Sequence, residues 1–352
     1  MTKILIKPES NAIPIKRIGF LGLSDYGIKY FNYLIQNKDF EIVYATSKSK
    51  RRDHSNRLER DIEQLCSENS IPYFGNINVN KCVDKFTKFD TDIVILGGYD
   101  AILKEEFLNK SSKYGVINTH FGIIPMNRGC NPSMWAVLQN VPQGFTTYFC
   151  TKDIDLPDSI IDICEVKTPD RCTSKHAYDL LSSEAVKRFP GVLKSLQTGI
   201  YDIPNMNTLK NVKEMGNNYH SQGIPNESYV SWNWKCHFIQ RFSDSNLFEP
   251  YPTVRTVSSY SEDIWFKVEC VTHIDYMNDK EITLYNKTAT GEVVCINDNK
   301  FIVRATDGLV HCVSDSPIHR RLLNQVFTSI GDKGKHGIPL KFPGLYIDVK
   351  KM

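Results

Sequence analysis

Gly115-Val116-Ile117-Asn118-Thr119-His120-Phe121-Gly122-Ile123-Ile124-Pro125-Met126-Asn127-Arg128-Gly129 is the stretch whose reading decides the fold. Val116 to His120 has the apolar make-up of a buried strand. Gly122, Pro125 and Gly129 mark the loop that follows it. Alternate side chains of a strand share a face, so Asn118 and His120 project side by side where the strand ends. In open parallel α/β sheets, ligands sit at the carboxyl ends of the strands. An amide and an imidazole there suit acyl transfer. The amide donates a hydrogen bond to a developing oxyanion, and the imidazole takes a proton near neutral pH. A carboxylate that orients the imidazole completes such a set, and Asp155 is available for it beyond a strand expected over Gly144–Cys150. The plainer alternative for any one of Asp153, Asp155 and Asp158 is a turn residue.

Upstream, Arg17 to Leu23 reads as an apolar strand with glycines, Ser24-Asp25 as a helix cap, Tyr26 to Asn37 as a helix and Phe40 to Thr46 as a second strand. That order opens a doubly wound sheet. Gly19-x-x-Gly22 lacks the full dinucleotide fingerprint and reads as a tight turn packing helix on strand. The basic run between Lys48 and Arg60 is either a phosphate-gripping loop or a solvated lead into a helix reaching Asn69, and the latter is favoured. Ile71–Phe74 predicts a short strand and Asp92–Gly97 a buried one. Gly98-Tyr99-Asp100-Ala101-Ile102-Leu103 then turns into a helix carrying Glu105 and Glu106, and Asp100 is the candidate cap. Asn131-Pro132-Ser133 caps a helix over Met134–Gln139 that buries Trp135 and Leu138. Ser174–Gly199 is strongly periodic, and Pro190 predicts a kink or break in it.

Asn118-x-His120, Ile124-Pro125-x-x-Arg128-Gly129 and a later Asp after a Gly144-x-Thr146 strand together resemble the folate-dependent formyltransferases. That group includes the methionyl-tRNA, glycinamide ribonucleotide and nucleotide-sugar enzymes. Asn118-Thr119-His120-Phe121-Gly122 with Arg128-Gly129-Cys130-Asn131-Pro132 looks most like the sugar N-formyltransferases, which act on dTDP- or UDP-linked amino-sugars. The resemblance covers roughly the first 200 residues. It implies a doubly wound, mostly parallel Rossmann-like sheet with a smaller, mainly β, barrel-like C-terminal domain. It implies catalytic roles for Asn118, His120 and Asp155, and N10-formyltetrahydrofolate as co-substrate with no metal. The pterin pocket would be formed by Gly98, Tyr99, Ile102 and Leu103 together with Asp155. Arg128, which has a planar fork suited to carboxylate or phosphate, and the pair Tyr219-His220 become substrate contacts. The helix after Asn131 would back the site.

Two departures stand out. Where the resembled family usually reads Thr-x-His, this chain has Thr146-Thr147-Tyr148. Pro157 replaces a usual glycine in a loop one residue longer, which leaves Asp153 and Asp158 as rivals of Asp155.

A chain of 352 residues suggests two domains. The boundaries expected are 1–202 for the catalytic domain, 203–228 for an Asn/Pro/Gly-rich linker and 229–352 for the C-terminal β domain. Beyond the linker, a helix starts at Ser231 with Trp232, Trp234, Ile239 and Phe242 on a core rather than a ligand platform. Short strands then follow at 253–257, 264–271, 282–285, 291–296, 301–305 and 310–313, with a last one over Lys341–Lys350.

Composition is ordinary for a globular protein, with 41% apolar residues, 24% charged residues and a formal net charge of +3. That balance argues against a dedicated nucleic-acid binder. Residues 1–14 lack the apolar core of a signal peptide, and no apolar run approaches the roughly 20 residues that span a bilayer. A cytoplasmic protein with no membrane partner is expected. Ten cysteines without a Cys-x-x-Cys pair read as reduced, mostly buried thiols. Enzymes of the resembled kind are often dimers, which leaves a homodimer open. A methionyl-tRNA formyltransferase and a non-catalytic nucleotide-sugar or folate sensor on the same fold remain as alternatives.

Overall fold

The computed structural model describes residues 12–22, 24–48, 52–155, 160–200, 219–220, 224–249 and 253–329. The chain divides into two compact units. One is Met1–Arg128, Gln143–Lys167 and Asp179–Gly216, and the other is Gly129–Pro142, Thr168–Tyr178 and Asn217–Met352. The strands are β1 (Arg17–Gly22), β2 (Glu41–Ser47), β3 (Tyr73–Asn76), β4 (Ile93–Gly97), β5 (Val116–His120), β6 (Arg128–Gly129), β7 (Gln143–Phe149), β8 (Ile160–Val166), β9 (Tyr219–His220), β10 (Val254–Val257), β11 (Asp263–His273), β12 (Val293–Asn297), β13 (Lys300–Arg304) and β14 (Gly308–Ser314). The α-helices are α1 (Asp25–Gln36), α2 (Arg52–Glu68), α3 (Val83–Phe86), α4 (Glu105–Lys110), α5 (Pro132–Gln139), α6 (Ser174–Thr198), α7 (Cys236–Asn246) and α8 (Asp279–Lys287). No helix among the described residues is long and apolar enough to cross a membrane.

The first unit is a seven-stranded sheet in the order β3-β2-β1-β4-β5-β7-β8. Its first five strands are parallel, and β7 and β8 return antiparallel. Helices cover both faces, the arrangement expected of a doubly wound sheet. On one face Phe20 meets Phe31 of α1, and Tyr30 of α1 stacks on Phe189 of α6 with ring centroids 3.8 Å apart. On the other face Leu21, Val94, Leu96 and Val116 pack with Val83 and Phe86 of α3 and Phe107 and Leu108 of α4. The helix α6 continues through Pro190 without a break. Its Arg188 reaches Asp162 of β8 through both Nε (2.8 Å) and Nη2 (2.5 Å).

The turn after β1 forms as its residues dictate. Ser24 Oγ accepts from Gly27 N (3.0 Å), capping α1, and donates to Gly97 O (2.7 Å) at the end of β4. A Cβ on Gly22 or Gly27 would overlap the Gly97 backbone, and one on Gly19 would overlap the Tyr44 ring. The close helix-on-strand contact is therefore made by Gly27 of α1 against Gly97, whereas Gly19 and Gly22 abut the neighbouring strands. The helix α2 follows the basic run; side chains 49–57 lie outside the described residues.

In the second unit, Trp232, Trp234, Ile239 and Phe242 are fully buried with Phe266, Phe301, Val303 and Phe327, and Met134, Trp135 and Leu138 of α5 join the same core. The aromatics are therefore core. The helix begins at Cys236 rather than Ser231, with Lys235 as N-cap. A five-stranded antiparallel sheet, β10-β11-β14-β13-β12, forms the rest. Residues 282–285 are not a strand: they lie in α8, where Asn278 and Glu281 form a reciprocal capping box. Only Tyr285 of that helix is buried, so the apolar residues read as a strand are spread around a helical surface. At α5, Asn131 does not cap with its side chain. It sits in a left-handed conformation ahead of Pro132, which needs no donor at the first helical position. The strand expected over 341–350 lies outside the described residues.

Gly27→Ala is expected to lower the free energy of unfolding by about 1–3 kcal/mol, read in urea melts as a lower midpoint at constant slope.

Candidate active site

Asn118 and His120 lie on β5 with their side chains on one face, while Thr119 points the other way and meets Tyr30 and Thr147. The antiparallel partner β7 sets Tyr148 opposite Asn118 and Thr146 opposite His120. Thr146 Oγ1 donates to Gly122 O (2.9 Å) and accepts from Ile124 N (3.1 Å), so the loop after β5 is pinned over the strand. That loop turns back on the imidazole, and His120 Nε2 meets Asn127 O at 2.8 Å. A Cβ on Gly122 would collide with both groups, which explains glycine there.

A carbonyl only accepts, so Nε2 carries the proton and Nδ1 is the basic nitrogen of the neutral ring. Nδ1 faces Asp155 Oδ1 at 3.6 Å; the two side chains are 8% and 10% exposed. The backbone of Asp155 is left-handed, at φ 48°. Asp153 is exposed in a turn where its N–H meets Thr151 Oγ1. Asp158 lies outside the described residues. Of the two acids among the described residues, Asp155 is the one placed against His120.

Tyr148 joins the set. Its hydroxyl donates to Asp155 Oδ1 (2.5 Å) and receives Asn118 Nδ2 (3.2 Å). Burial, with the Asp155 charge beside it, pushes that hydroxyl well above the usual tyrosine range. The ring is buried against Ile123, Ile124, Met126, Ile160 and Ile163. Burial likewise raises the neighbouring Cys150 thiol. In the sequence, Tyr148 registered only as the absence of a histidine; cross-strand pairing with Asn118 is the signal that would have revealed it.

The loop after β4 occupies the carboxyl end of that strand. Gly98 is at φ 85°, and a Cβ there would overlap Ser24. The Tyr99 hydroxyl donates to Ile77 O (2.8 Å) and accepts from Val79 N (2.9 Å), and burial pushes it up to about 12. Asn80, which the sequence did not single out, holds the loop at two points: Nδ2 donates to Ile102 O (2.8 Å) and Oδ1 accepts from Lys104 N (2.8 Å). Ile102 is left 63% exposed on this anchored loop, whereas Leu103 is buried in the core with Phe107. Asp100 does not cap α4, whose N-cap is Lys104.

Arg128 is half-buried at the end of the loop after His120. Gly129, the first residue of the second unit, lies in β6, which pairs with β9; the side chains of Tyr219 and His220 lie outside the described residues. All ten cysteines are free thiols: four are buried, four half-buried and two, Cys270 and Cys295, exposed. Among the described residues no group of three His, Cys, Asp or Glu side chains is placed to hold a metal ion.

No protein-family model matches the chain. Among curated proteins, the methionyl-tRNA formyltransferase of Agathobacter rectalis is similar to it, 24% identical over 270 residues that cover 75% of this chain and 83% of that one. The bifunctional polymyxin resistance protein ArnA of Wigglesworthia glossinidia brevipalpis is 27% identical over 248 residues, 67% of this chain, and the chain spans 34% of that protein's length. Among solved structures, the N-formyltransferase from Helicobacter canadensis, in complex with folinic acid and dTDP-3-aminofucose, shares the fold with a TM-score of 0.57 at 16% identity, covering 86% of this chain and 100% of that one.

The chain therefore has the formyltransferase fold, and it resembles formyl-transfer enzymes along most of its length. Within that class its fold neighbours are sugar N-formyltransferases, whereas its curated relatives are mostly methionyl-tRNA formyltransferases.

Because the folded state holds the Tyr99 proton more tightly than the unfolded chain, its contribution to stability is complete below about pH 10 and is lost as pH rises towards 12. Tyr99→Phe should make denaturant midpoints fall less steeply than the wild type's over that window.

Proposed function

We propose that the protein transfers a formyl group from N10-formyltetrahydrofolate to the amine of a nucleotide-linked amino-sugar, a dTDP- or UDP-linked 4-amino-4,6-dideoxyhexose. The observation that carries this reading is the meeting of Asn118, His120 and Asp155 at the carboxyl end of β5, with His120 Nδ1 3.6 Å from Asp155 Oδ1. The fold neighbours support the sugar. The neighbour from Helicobacter canadensis was solved with folinic acid and a dTDP-linked 3-amino sugar.

The donor set fits a formylfolate. Ile102 is an exposed apolar side chain on the loop after β4, where Asn80 holds its carbonyl, and it is suited to cover a flat ring. Gly98 and Tyr99 shape the loop. Leu103 acts from the core behind it. The co-substrate supplies a formyl carbon already activated by its attachment to an aryl nitrogen.

The chain's own groups do the rest. Asn118 has two amide protons and spends one on Tyr148, leaving the second for the oxygen on which charge develops. His120 takes or relays the proton of the attacking amine, and Asp155 steadies the resulting imidazolium. Arg128, Tyr219 and His220 are proposed to contact the nucleotide-sugar.

Asn118→Ala should lower kcat by about 10²–10³-fold, with circular dichroism unchanged. Gly122→Ala should displace the loop from His120 and reduce turnover at least tenfold, by the same logic that a misplacement of about 1 Å is costly. The decisive assay incubates the protein with formylfolate and a panel of dTDP- and UDP-linked 3-amino and 4-amino sugars, reading the mass gain of one formyl group. No gain on any member would end the sugar reading.

The methionyl-tRNA formyltransferases among the curated relatives favour a second reading. Formylation of charged initiator tRNA, with affinity falling steeply as salt rises, would establish it instead.

A further inference from the structure

Tyr148 stands where the resembled enzymes usually have a histidine, and its hydroxyl touches two members of the set, Asn118 and Asp155. We infer that Tyr148 is the positioning residue of this site, holding the Asn118 amide and the Asp155 carboxylate in fixed relation to each other and to His120. The inference rests on the formyl-transfer reading of the same site.

Proton counting carries it. A tyrosine hydroxyl has one proton to give. That proton lies on Asp155 Oδ1 at 2.5 Å. The hydroxyl oxygen can then only accept from Asn118, which is 3.2 Å away, so the amide must turn its NH2 towards Tyr148. The orientation of Asn118 is thereby set by Asp155 through Tyr148. The same Oδ1 faces His120 Nδ1 at 3.6 Å, so the donor on the carboxylate also governs how strongly it holds the imidazole's charge.

The position is rigid. The ring is 3% exposed, and β7 pairs with β5 through consecutive residues from Ile117 to His120. The hydroxyl keeps its proton throughout the working pH range, because burial and the Asp155 charge both oppose its loss. An imidazole at this position would change charge near neutrality. Tyrosine leaves the donor constant. His120 from β5 and Cys150, just past the end of β7, are among the titratable groups that face Tyr148 and Asp155, and the Cys150 thiol is held neutral by burial.

The test is Tyr148→Phe, which keeps the ring and removes only the hydroxyl. A hydrogen-bond donor favours the charged carboxylate, so its loss makes Asp155 more basic and strengthens its hold on the imidazolium. Both macroscopic steps of the pair then move to higher pH. The expected result is a 10- to 100-fold fall in kcat, with KM for formylfolate changed less than about threefold. The acid limb of the rate profile is displaced upward by about half a unit or more, in line with the size of hydrogen-bond effects on carboxylates.

The ring titration of His120, followed by NMR without substrate, should move the same way. That readout does not depend on turnover. A wild type that formylates nothing defeats the functional reading while the titration still decides the network. A lowered rate with an unmoved profile and an unmoved His120 titration would mean that Tyr148 is structural only, and would overturn the inference. Should the phenylalanine variant unfold, Tyr148→His keeps a donor at smaller volume. It should add an ionisation to the acid limb, and a profile identical to the wild type's overturns the inference equally.

Discussion

The register of β5 against β7 is the constraint on which the site depends. Side chains alternate across a strand, so a slip of one residue would send Thr146 and Tyr148 to the opposite face together. With His120 opposite Thr146 and Asn118 opposite Tyr148, one threonine pins the loop that closes on the imidazole and one tyrosine wires the amide to the acid. The change from parallel to antiparallel pairing after β5 makes this possible. The antiparallel β7 runs back along β5, pairing from His120 to Ile117.

Much of this was legible in residue types alone. Buried strands announced themselves by apolar runs, and the period of two placed Asn118 and His120 on one face. Ser24 capped the helix that its position foretold. The chemistry of amide, imidazole and acid could be named because each has a physical job at a strand end. What escaped notice depended on contacts far apart in sequence. Asn80 braces the loop carrying Ile102 from 22 residues away. Leu103 turned inward, because a loop residue's facing is decided by the core beneath it rather than by its own type. Residues 282–285 misled because a short apolar run fits both periods, and the capping pair Asn278 and Glu281 outside it settles the matter.

The helices α5 and α7 illustrate a further limit. Periodicity says that a helix has an apolar face; it cannot say which core receives it. Met134, Trp135 and Leu138 follow directly upon the loop of the first unit, yet they pack with Trp232, Ile239 and Phe242 in the second. The residues from Gly129 to Pro142 are consequently part of the second unit, although β7, which follows them, returns to the first.

The tautomer of His120 joins the fold to the chemistry. Nε2 is tied to Asn127 O, a backbone acceptor that the loop cannot withdraw without moving Gly122 and the Thr146 contacts. The basic lone pair is therefore directed at Asp155, and any proton it receives is held between a carboxylate and a ring whose other nitrogen is already engaged. Tyr148 places its proton on that same carboxylate oxygen and limits the charge the oxygen offers the imidazole. The phenol, its hydroxyl held well above the usual tyrosine range by burial, stays a donor where an imidazole would change charge.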